Sequence, residues 1–564
     1  MNVPACFSSA LGWLLLAGGL LLLPAALAQP AQSRPAVDPD LDWWREARFG
    51  MFIHWGPVSL SGTELSWSRG GERRGVGGTG EVPVDIYDNL YKRFNPTEFN
   101  ADEWVALAQA AGMKYLVFTT RHHDGFSLFD TQFSDYKVTS PECPFRRDVV
   151  KELADACHRA GLRLGFYYSQ PDWHHPDYRT ENHPRFLKYL HGQVRELCTN
   201  YGKLDILWFD GLRGTAEDWD AHNLLQMARQ LQPGILINDR CGLPADFATP
   251  EQRIGRFCND RPWESCITLG QQWSWKPDDQ IKSLSECINL LVRCAGGDGN
   301  LLLNVGPMPD GRIEPRQADR LREIGQWLRR HGATIYGTRG GPYRPDRWGA
   351  CTNRGSTVYL HVLDGTRQTL ELPALPVKII SSRMLTGGDV EVTQNAERLQ
   401  IILGKPADPE QIDRIVVLEL ERPAAEVAPL SGRLPSRSLA RGRPATASNV
   451  YRGMPEFGPD KAFDDDHDTR WATDDGTHAA WLQVDLGSPQ AIGQAVICEE
   501  YAPRVQKFEL QYQDGPGWKT LAAGERIGSE LRLSFAPVTA QVVRLNILSS
   551  TEGPTLSEFE ILPP

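Results

Sequence analysis

The chain has no basic excess. Its 60 Lys and Arg are outnumbered by 71 Asp and Glu, and the net charge is −11. Such a surface repels nucleic acid and anionic membranes unless a local basic patch intervenes, and the sequence contains none, so neither is expected as a partner. The eleven cysteines include no CxxC pair and no zinc spacing, which excludes the finger and ribbon classes of metal site. No P-loop and no GxGxxG between a strand and a helix is present, and no cofactor for catalysis is expected. Outside residues 11–28 no apolar run of comparable length occurs, so the mature protein is expected to be soluble, without a membrane span.

What is present begins with that one apolar run. It closes on Ala26-Leu27-Ala28 before Gln29, the small-residue pattern of a secretory signal peptide cleaved after Ala28. Residues 1–10 carry no Lys or Arg, which leaves a retained N-terminal anchor as the alternative. The expected location is therefore secreted or periplasmic. Cys6 leaves with the signal. Cys157, Cys198, Cys287 and Cys294 lie in helix-like stretches that suit buried thiols, and Cys258 with Cys266 is a candidate disulfide in an oxidising compartment.

At 564 residues the chain exceeds one core, and about two to four domains are expected. From residue 38 to 342 apolar strand-like runs alternate with amphipathic helix-like runs. Strands are expected at 49–56, 114–120, 162–169, 204–208, 234–238 and 300–305. Helices are expected at 41–48, 101–112, 148–161, 183–201, 224–231, 283–295 and 316–331. Such βα repetition predicts an α/β fold with a (β/α)8-type barrel. Residues 57–93 lack periodicity, hold the Gly-rich run 69–80 and read as a long functional loop. From 343 to 420 short strands predict a small antiparallel β-sandwich. Residues 421–444, rich in Pro, Ala, Ser and Arg, read as a linker, and 445–564 form a second all-β unit.

The chemistry gathers at the strand ends. Residues 204–208 run into Asp210-Gly211, and an acid at the carboxyl end of a buried parallel strand is where barrel loops build active sites. The bland alternative, a helix cap or turn, loses ground because neighbouring strands end in His54, in His122 with His123, in Tyr167 and in Arg240. His122-His123-Asp124 suggests a metal, but adjacent residues on a strand point to opposite faces, so no metal is expected there. Carboxylates, His, Trp and Arg in one pocket suit glycoside hydrolysis. The seventeen Trp offer both core filling and walls for sugar rings.

Four blocks carry a resemblance: Phe49-Gly-Met-Phe-Ile-His-Trp-Gly56, Arg121-His-His-Asp-Gly-Phe126, Leu207-Trp-Phe-Asp-Gly211 and Asn300-Leu-Leu-Leu-Asn-Val-Gly-Pro307. In this order they resemble the signature blocks of the α-L-fucosidases, glycoside hydrolase family 29, over roughly residues 40–420. The resemblance implies a retaining enzyme that acts on fucosylated oligosaccharides or glycoconjugates, with Asp210 as nucleophile. It implies that His54, His122, His123, Trp208 and Arg240 bind fucose, with Tyr167 beside them. Glu64 and Trp67 would supply the acidic and aromatic pair of the loop after the first strand, and Trp275 a further aromatic contact. For the acid/base, Glu251 in Thr249-Pro-Glu251 matches the segment that bears it in many bacterial members, and Glu264 in Trp263-Glu264 is the rival. Two other readings stay open: a catalytically inactive glycan-binding protein on the same fold, and another retaining exo-glycosidase.

The tail contains Ala445-Thr-Ala-Ser-Asn449, Lys461-Ala-Phe-Asp464, Asp468-Thr-Arg-Trp471 and Glu558-Phe-Glu560. It resembles the discoidin-like (coagulation factor type C) sandwich, used in many glycosidases as a carbohydrate-binding module. That resemblance implies a structural calcium held by Asp464, Thr469 and Glu558, an oxygen-only donor set. A solvated acidic turn is the alternative. The oligomeric state is not legible.

Overall fold

A computed structural model describes residues 39–564 apart from 407, 409, 410 and 468. The expected signal segment and Asp468 thus lie outside the described residues. Seven strands build the first sheet: β1 (Phe49–Ile53), β2 (Tyr115–Arg121), β3 (Arg163–Tyr168), β4 (Ile206–Phe209), β5 (Leu236–Ile237), β6 (Glu264–Thr268) and β7 (Asn300–Val305). They are parallel throughout, in the order β5-β4-β3-β2-β1-β7-β6. Every residue of β1, β2, β4, β6 and β7 is buried. In all of them but β6 that two-faced burial is why the segment reads as a mostly apolar run.

Helices Ala101–Ala110, Val149–Ala160, His183–Asn200, Ala221–Leu231, Leu284–Gly296 and Pro315–His331 intervene, and their apolar faces join the strands in one large core. Their ends follow from local chemistry. The side chains of Asn100, Asp148 and Ser283 accept first-turn N–H groups, and Gly161, at φ 67°, ends the Val149–Ala160 helix in the left-handed region. β6 was not expected: five residues beginning with a charged Glu and a Ser carry no clear period. Nearby, segment 247–251 makes isolated parallel bridges, Asn238 to Phe247, Ala248 to Trp263 and Glu251 to Cys266. It therefore lies between the end of β5 and β6.

The next region holds two antiparallel sheets. One runs β12-β15-β10-β9-β8 and the other β11-β14-β13, where β8 is Arg339–Gly340, β9 Gly349–Arg354, β10 Thr357–Val362, β11 Thr369–Pro373, β12 Ile379–Met384, β13 Val390–Gln394, β14 Arg398–Leu403 and β15 Arg414–Leu420. Both sheets feed one core that includes Val358, Leu370, Ile401 and Val416. Buried Asp298 joins this region to the first, pairing with Arg48 at 2.5 Å and also with Arg339. The expected linker is packed. Leu430 N–H donates to the carbonyl of Pro342 at 2.8 Å, and the Trp348 indole to that of Gly432 at 2.6 Å.

The tail strands are β16 (Ala445–Ala447), β17 (Trp471–Ala472), β18 (Ala480–Glu499), β19 (Val505–Asp514), β20 (Gly517–Gly524), β21 (Leu531–Ser550) and β22 (Thr555–Leu562). They pair antiparallel as β17-β22-β18-β21-β19-β20, with β16 on β18. No helix among the described residues is long and apolar enough to cross a membrane. The ten described cysteines are free. Cys258 meets Asp260 at 2.9 Å and Cys266 lies under Arg240 at 3.9 Å, so the candidate disulfide is not formed.

Candidate active site

The strand ends converge on one pocket, lined by His54, His122, His123, Tyr167, Trp208, Asp210, Arg240, Glu251 and Trp67, all expected, and by Phe52, Leu212, Cys266 and Trp273, which were not. Phe52, Cys266 and Leu212 carry no polar signal and were hidden among ordinary apolar residues.

Asp210 is the centre. Tyr167 donates its phenolic hydrogen to Oδ2 at 2.9 Å, and Arg240 Nη1 donates to Oδ1 at 3.2 Å. Burial disfavours its charge, but the Arg240 guanidinium and the Tyr167 hydroxyl outweigh that and hold the carboxyl below its ordinary range. Arg240 is fixed in turn: Nε donates to Thr249 Oγ1 at 2.8 Å, Nη2 to the Thr249 carbonyl at 2.9 Å, and the guanidinium lies 4.7 Å over the Trp208 ring. The same Nη1 reaches Glu251 Oε2 at 2.8 Å. The facing oxygens of Asp210 and Glu251 therefore cannot be farther apart than those two contacts laid end to end, about 6 Å. The bridges of segment 247–251 to β6 hold Glu251 there, while its side chain keeps 42 % exposure.

The histidines are neutral and oriented. Burial lowers His54 to about 3 and His123 to about 4, and pushes His122 well down. Asn304 Nδ2 donates to the Trp273 carbonyl at 2.7 Å, so its Oδ1 is the atom facing His54 Nδ1 at 2.7 Å, and that nitrogen carries the hydrogen. Ser169 donates to the Pro171 carbonyl at 2.7 Å and so accepts from His123 Nδ1 at 2.6 Å. His123 Nε2 then presents a lone pair 3.6 Å from Asp210 Oδ2, buried and without a partner. Two acceptors face each other, and a hydroxyl is the donor they lack.

Three expectations need correction. His122, His123 and Asp210 do bring ligand atoms within 4.8 Å of one another. The alternation rule fails because β2 ends at Arg121 and the two imidazoles, 4.0 Å apart, sit beyond its pleat. Second, Glu64 does not line the pocket. Its carboxylate accepts from Trp273 N at 2.9 Å, Leu65 N at 2.8 Å and Ser274 N at 3.3 Å, so it braces the turn that delivers Trp273. Third, Trp275 is not among the lining residues; its ring lies beside Gly62, and Trp273 occupies the wall, 4.7 Å from His54 and 6.0 Å from Phe52. Glu264 is also away from the pocket surface. It is fully buried below Trp208, accepting from the indole at 3.2 Å and from the Tyr115 hydroxyl, and burial raises its carboxyl to about 7.

With this geometry in place, comparison with known proteins is decisive. The family model for Alpha-L-fucosidase matches residues 27–333. The chain belongs to the α-L-fucosidase family. Human plasma alpha-L-fucosidase is 32% identical over 378 residues, covering 58% of this chain and 79% of that one. Among solved structures, alpha-L-fucosidase isoenzyme 1 from Paenibacillus thiaminolyticus is 37% identical with a TM-score of 0.61, covering 68% of this chain and 99% of that one. A family 29 enzyme from Bacteroides thetaiotaomicron, trapped as a covalent intermediate with 2-fluoro-fucosyl fluoride, is 27% identical with a TM-score of 0.60, covering 69% and 98%.

The F5/8 type C domain model matches residues 444–561. Here the donor set expected for a cation comes together in part. Thr469 Oγ1 lies 2.9 and 2.8 Å from the two oxygens of Asp464 and 3.1 and 3.0 Å from the carbonyls of Lys461 and Asp466. Glu558 is 3% exposed with Oε2 unpartnered. Burial, with Asp464 and Glu560 nearby, pushes its carboxyl up to about 9. A buried, undonated carboxyl beside another is a fit for an oxygen-seeking cation.

Proposed function

We propose that the protein is a secreted, retaining α-L-fucosidase that removes terminal α-linked L-fucose from oligosaccharides and glycoconjugates by double displacement. The observation that carries this is the single Arg240 nitrogen touching both Asp210 and Glu251. The resulting ceiling of about 6 Å favours the ~5–5.5 Å spacing of a retaining pair over the ~6.5–9.5 Å of an inverting one.

Asp210, ionised and steadied by Tyr167 and Arg240, attacks the anomeric carbon as the bond to the leaving oxygen breaks. Glu251 gives that oxygen a proton. A covalent fucosyl–Asp210 ester results, and Glu251 then takes a proton from water as the water's oxygen displaces Asp210. The free Nε2 atoms of His54 and His123 accept from sugar hydroxyls. Phe52, Trp208 and Trp273 offer an apolar wall that suits the 6-methyl group of fucose and rejects a 6-hydroxyl. An inactive binding protein would have no need of this aligned pair of carboxylates.

The same reading takes residues 38–342 as a (β/α)8 barrel, closed between β5 and β6 through segment 247–251, followed by a β-sandwich to 420. A leader at 1–28 would be cleaved during export, and Asp464, Thr469 and Glu558 would hold a structural calcium that braces the tail without taking part in catalysis. Hydrolysis of 4-nitrophenyl α-L-fucoside followed by proton NMR tests the proposal. α-L-Fucose as the first-formed anomer is expected; the β anomer first, or no turnover, overturns it.

A further inference from the structure

The loops at one end of the tail module form a feature that hydrolysis does not use. Aromatic rings and guanidinium groups form one continuous row of contacts along it. Arg452 lies 5.0 Å over Tyr451, whose ring meets Phe457 at 5.4 Å; Arg470 lies 4.9 Å from Phe457 and 5.4 Å from Tyr501; Arg504 lies 4.8 Å from the Tyr501 ring. Tyr501 is 45% exposed, one of few large hydrophobic side chains that are. Among the described residues, none of these three guanidinium groups pairs with a carboxylate, so their charge is left to a partner from outside. Arg470 Nε is buried and has no acceptor.

The platform is held in shape. Asp474 accepts from Asn449 Nδ2 at 2.9 Å and from Arg452 N at 2.7 Å, and Asp474 N donates back to Asn449 Oδ1 at 2.8 Å. The Trp471 indole donates to the Asn449 carbonyl at 3.0 Å, and Arg504 Nη1 to that of Gly553 at 2.9 Å. Segment 449–452 is thus tied to 471–474 and Arg504 to Gly553, and Thr473 Oγ1 joins the two pairs by donating to the Pro554 carbonyl at 3.2 Å, which lowers the ordering cost of binding.

We infer that this surface binds an acidic carbohydrate, a sugar bearing a carboxylate or sulfate group. Ring faces stack on the C–H face of a pyranose, and guanidinium forks pair with a planar carboxylate or a sulfate. The same loops carry the exposed acids Glu456, Asp475 and Glu552 and the whole chain is acidic, which disfavours an extended polyanion such as nucleic acid or a charged membrane. A compact site of this kind suits one anionic sugar within a longer glycan. Only the choice of a saccharide over other small anions rests on the fucosidase reading. The module would then bring the catalytic pocket to acidic glycans.

Affinity electrophoresis and calorimetry of the full chain test this with probes that contain no fucose: oligogalacturonate, chondroitin sulfate oligosaccharides and neutral maltohexaose. Binding to one or both acidic probes and not to maltohexaose is expected, weakening as salt rises. Which acidic probe binds distinguishes carboxylate from sulfate. Tyr501→Ala and Arg470→Ala should each lower that affinity about tenfold or more, with kcat/KM on 4-nitrophenyl α-L-fucoside within twofold of the parent. Should Arg470→Ala fail to fold, exposed Arg452→Gln serves in its place. No binding to either acid, equal binding by the variants, or binding only to phosphatidylserine vesicles overturns the inference. Because the probes lack fucose, a failure here is separable from a failure of the hydrolytic reading.

Discussion

Nη1 of Arg240 lies 2.8 Å from Oε2 of Glu251. The same atom serves Asp210, so one guanidinium sets the positions of both carboxylates while Thr249 and the Trp208 ring set its own. Lysine offers a point charge and no fork. Arg240→Lys is therefore expected to lower kcat/KM on an aryl fucoside by about 10²–10³-fold, the scale for loss of one preorganised donor. The acid limb of its pH profile should move upward as Asp210 loses its partner. Steady-state kinetics across pH checks both.

Glu251 and Glu264 separate by what each change affects. Glu251→Gln removes a half-exposed carboxyl and should leave thermal stability unchanged while slowing turnover of substrates with poor leaving groups by about 10²–10⁴-fold. Glu264→Gln replaces an acceptor oxygen with an NH2 that faces either Tyr115 or Trp208, costing about 1–3 kcal/mol of stability, with turnover much less affected. Because Glu264 titrates at about 7 when folded and near 4.5 when unfolded, it lowers stability as pH rises from 4.5 toward 7. The Gln variant should lose that slope. Melting curves at several pH values, beside kinetics, decide it.

The neutral histidines give the opposite slope. Unfolded His binds a proton near pH 6.5, while folded His54 and His123 resist it down to about 3 and about 4. Stability is unaffected above 6.5 and falls as pH drops below it, because only the unfolded chain gains protons. His54→Gln should flatten the fall in Tm between pH 6.5 and 4 and raise KM through loss of the Nε2 acceptor.

Much of this was legible beforehand. Buried parallel strands announce themselves as apolar runs, and Asp210, His54, Tyr167 and Arg240 stood out as polar residues that end them. What the sequence hid depends on contacts distant along the chain. β6 begins at Glu264, a charge tolerated only because Tyr115 and Trp208 donate to it from other strands. In Trp273-Ser-Trp275 nothing local says which indole turns inward; the backbone N–H of Trp273 bonding to Glu64, 209 positions away, settles that. Glu64 itself matched as a pocket residue and serves as a brace.

The two tryptophans give a direct contrast. Trp273→Ala should raise KM for aryl fucoside at least several-fold because the wall beside His54 is lost. Trp275→Ala should leave KM near the parent value and lower Tm. A KM effect confined to Trp275 would contradict the placement of these side chains.

Calcium should stabilise the tail through Glu558. Without a cation this carboxyl titrates at about 9, so stability is full below about pH 4.5 and declines as pH rises toward 9. Adding calcium should raise Tm more at pH 8 than at pH 5, and EDTA should reverse it. Glu558→Gln should abolish the response and leave activity on a small aryl fucoside unchanged.

Double displacement through Asp210 is tested most directly by mass spectrometry of the Glu251→Gln protein after reaction with 2-fluoro-fucosyl fluoride. A single fucosyl adduct on the peptide containing Asp210, absent in Asp210→Asn, is the predicted result. An adduct on another carboxylate, or unimpaired hydrolysis by Asp210→Asn, would contradict it.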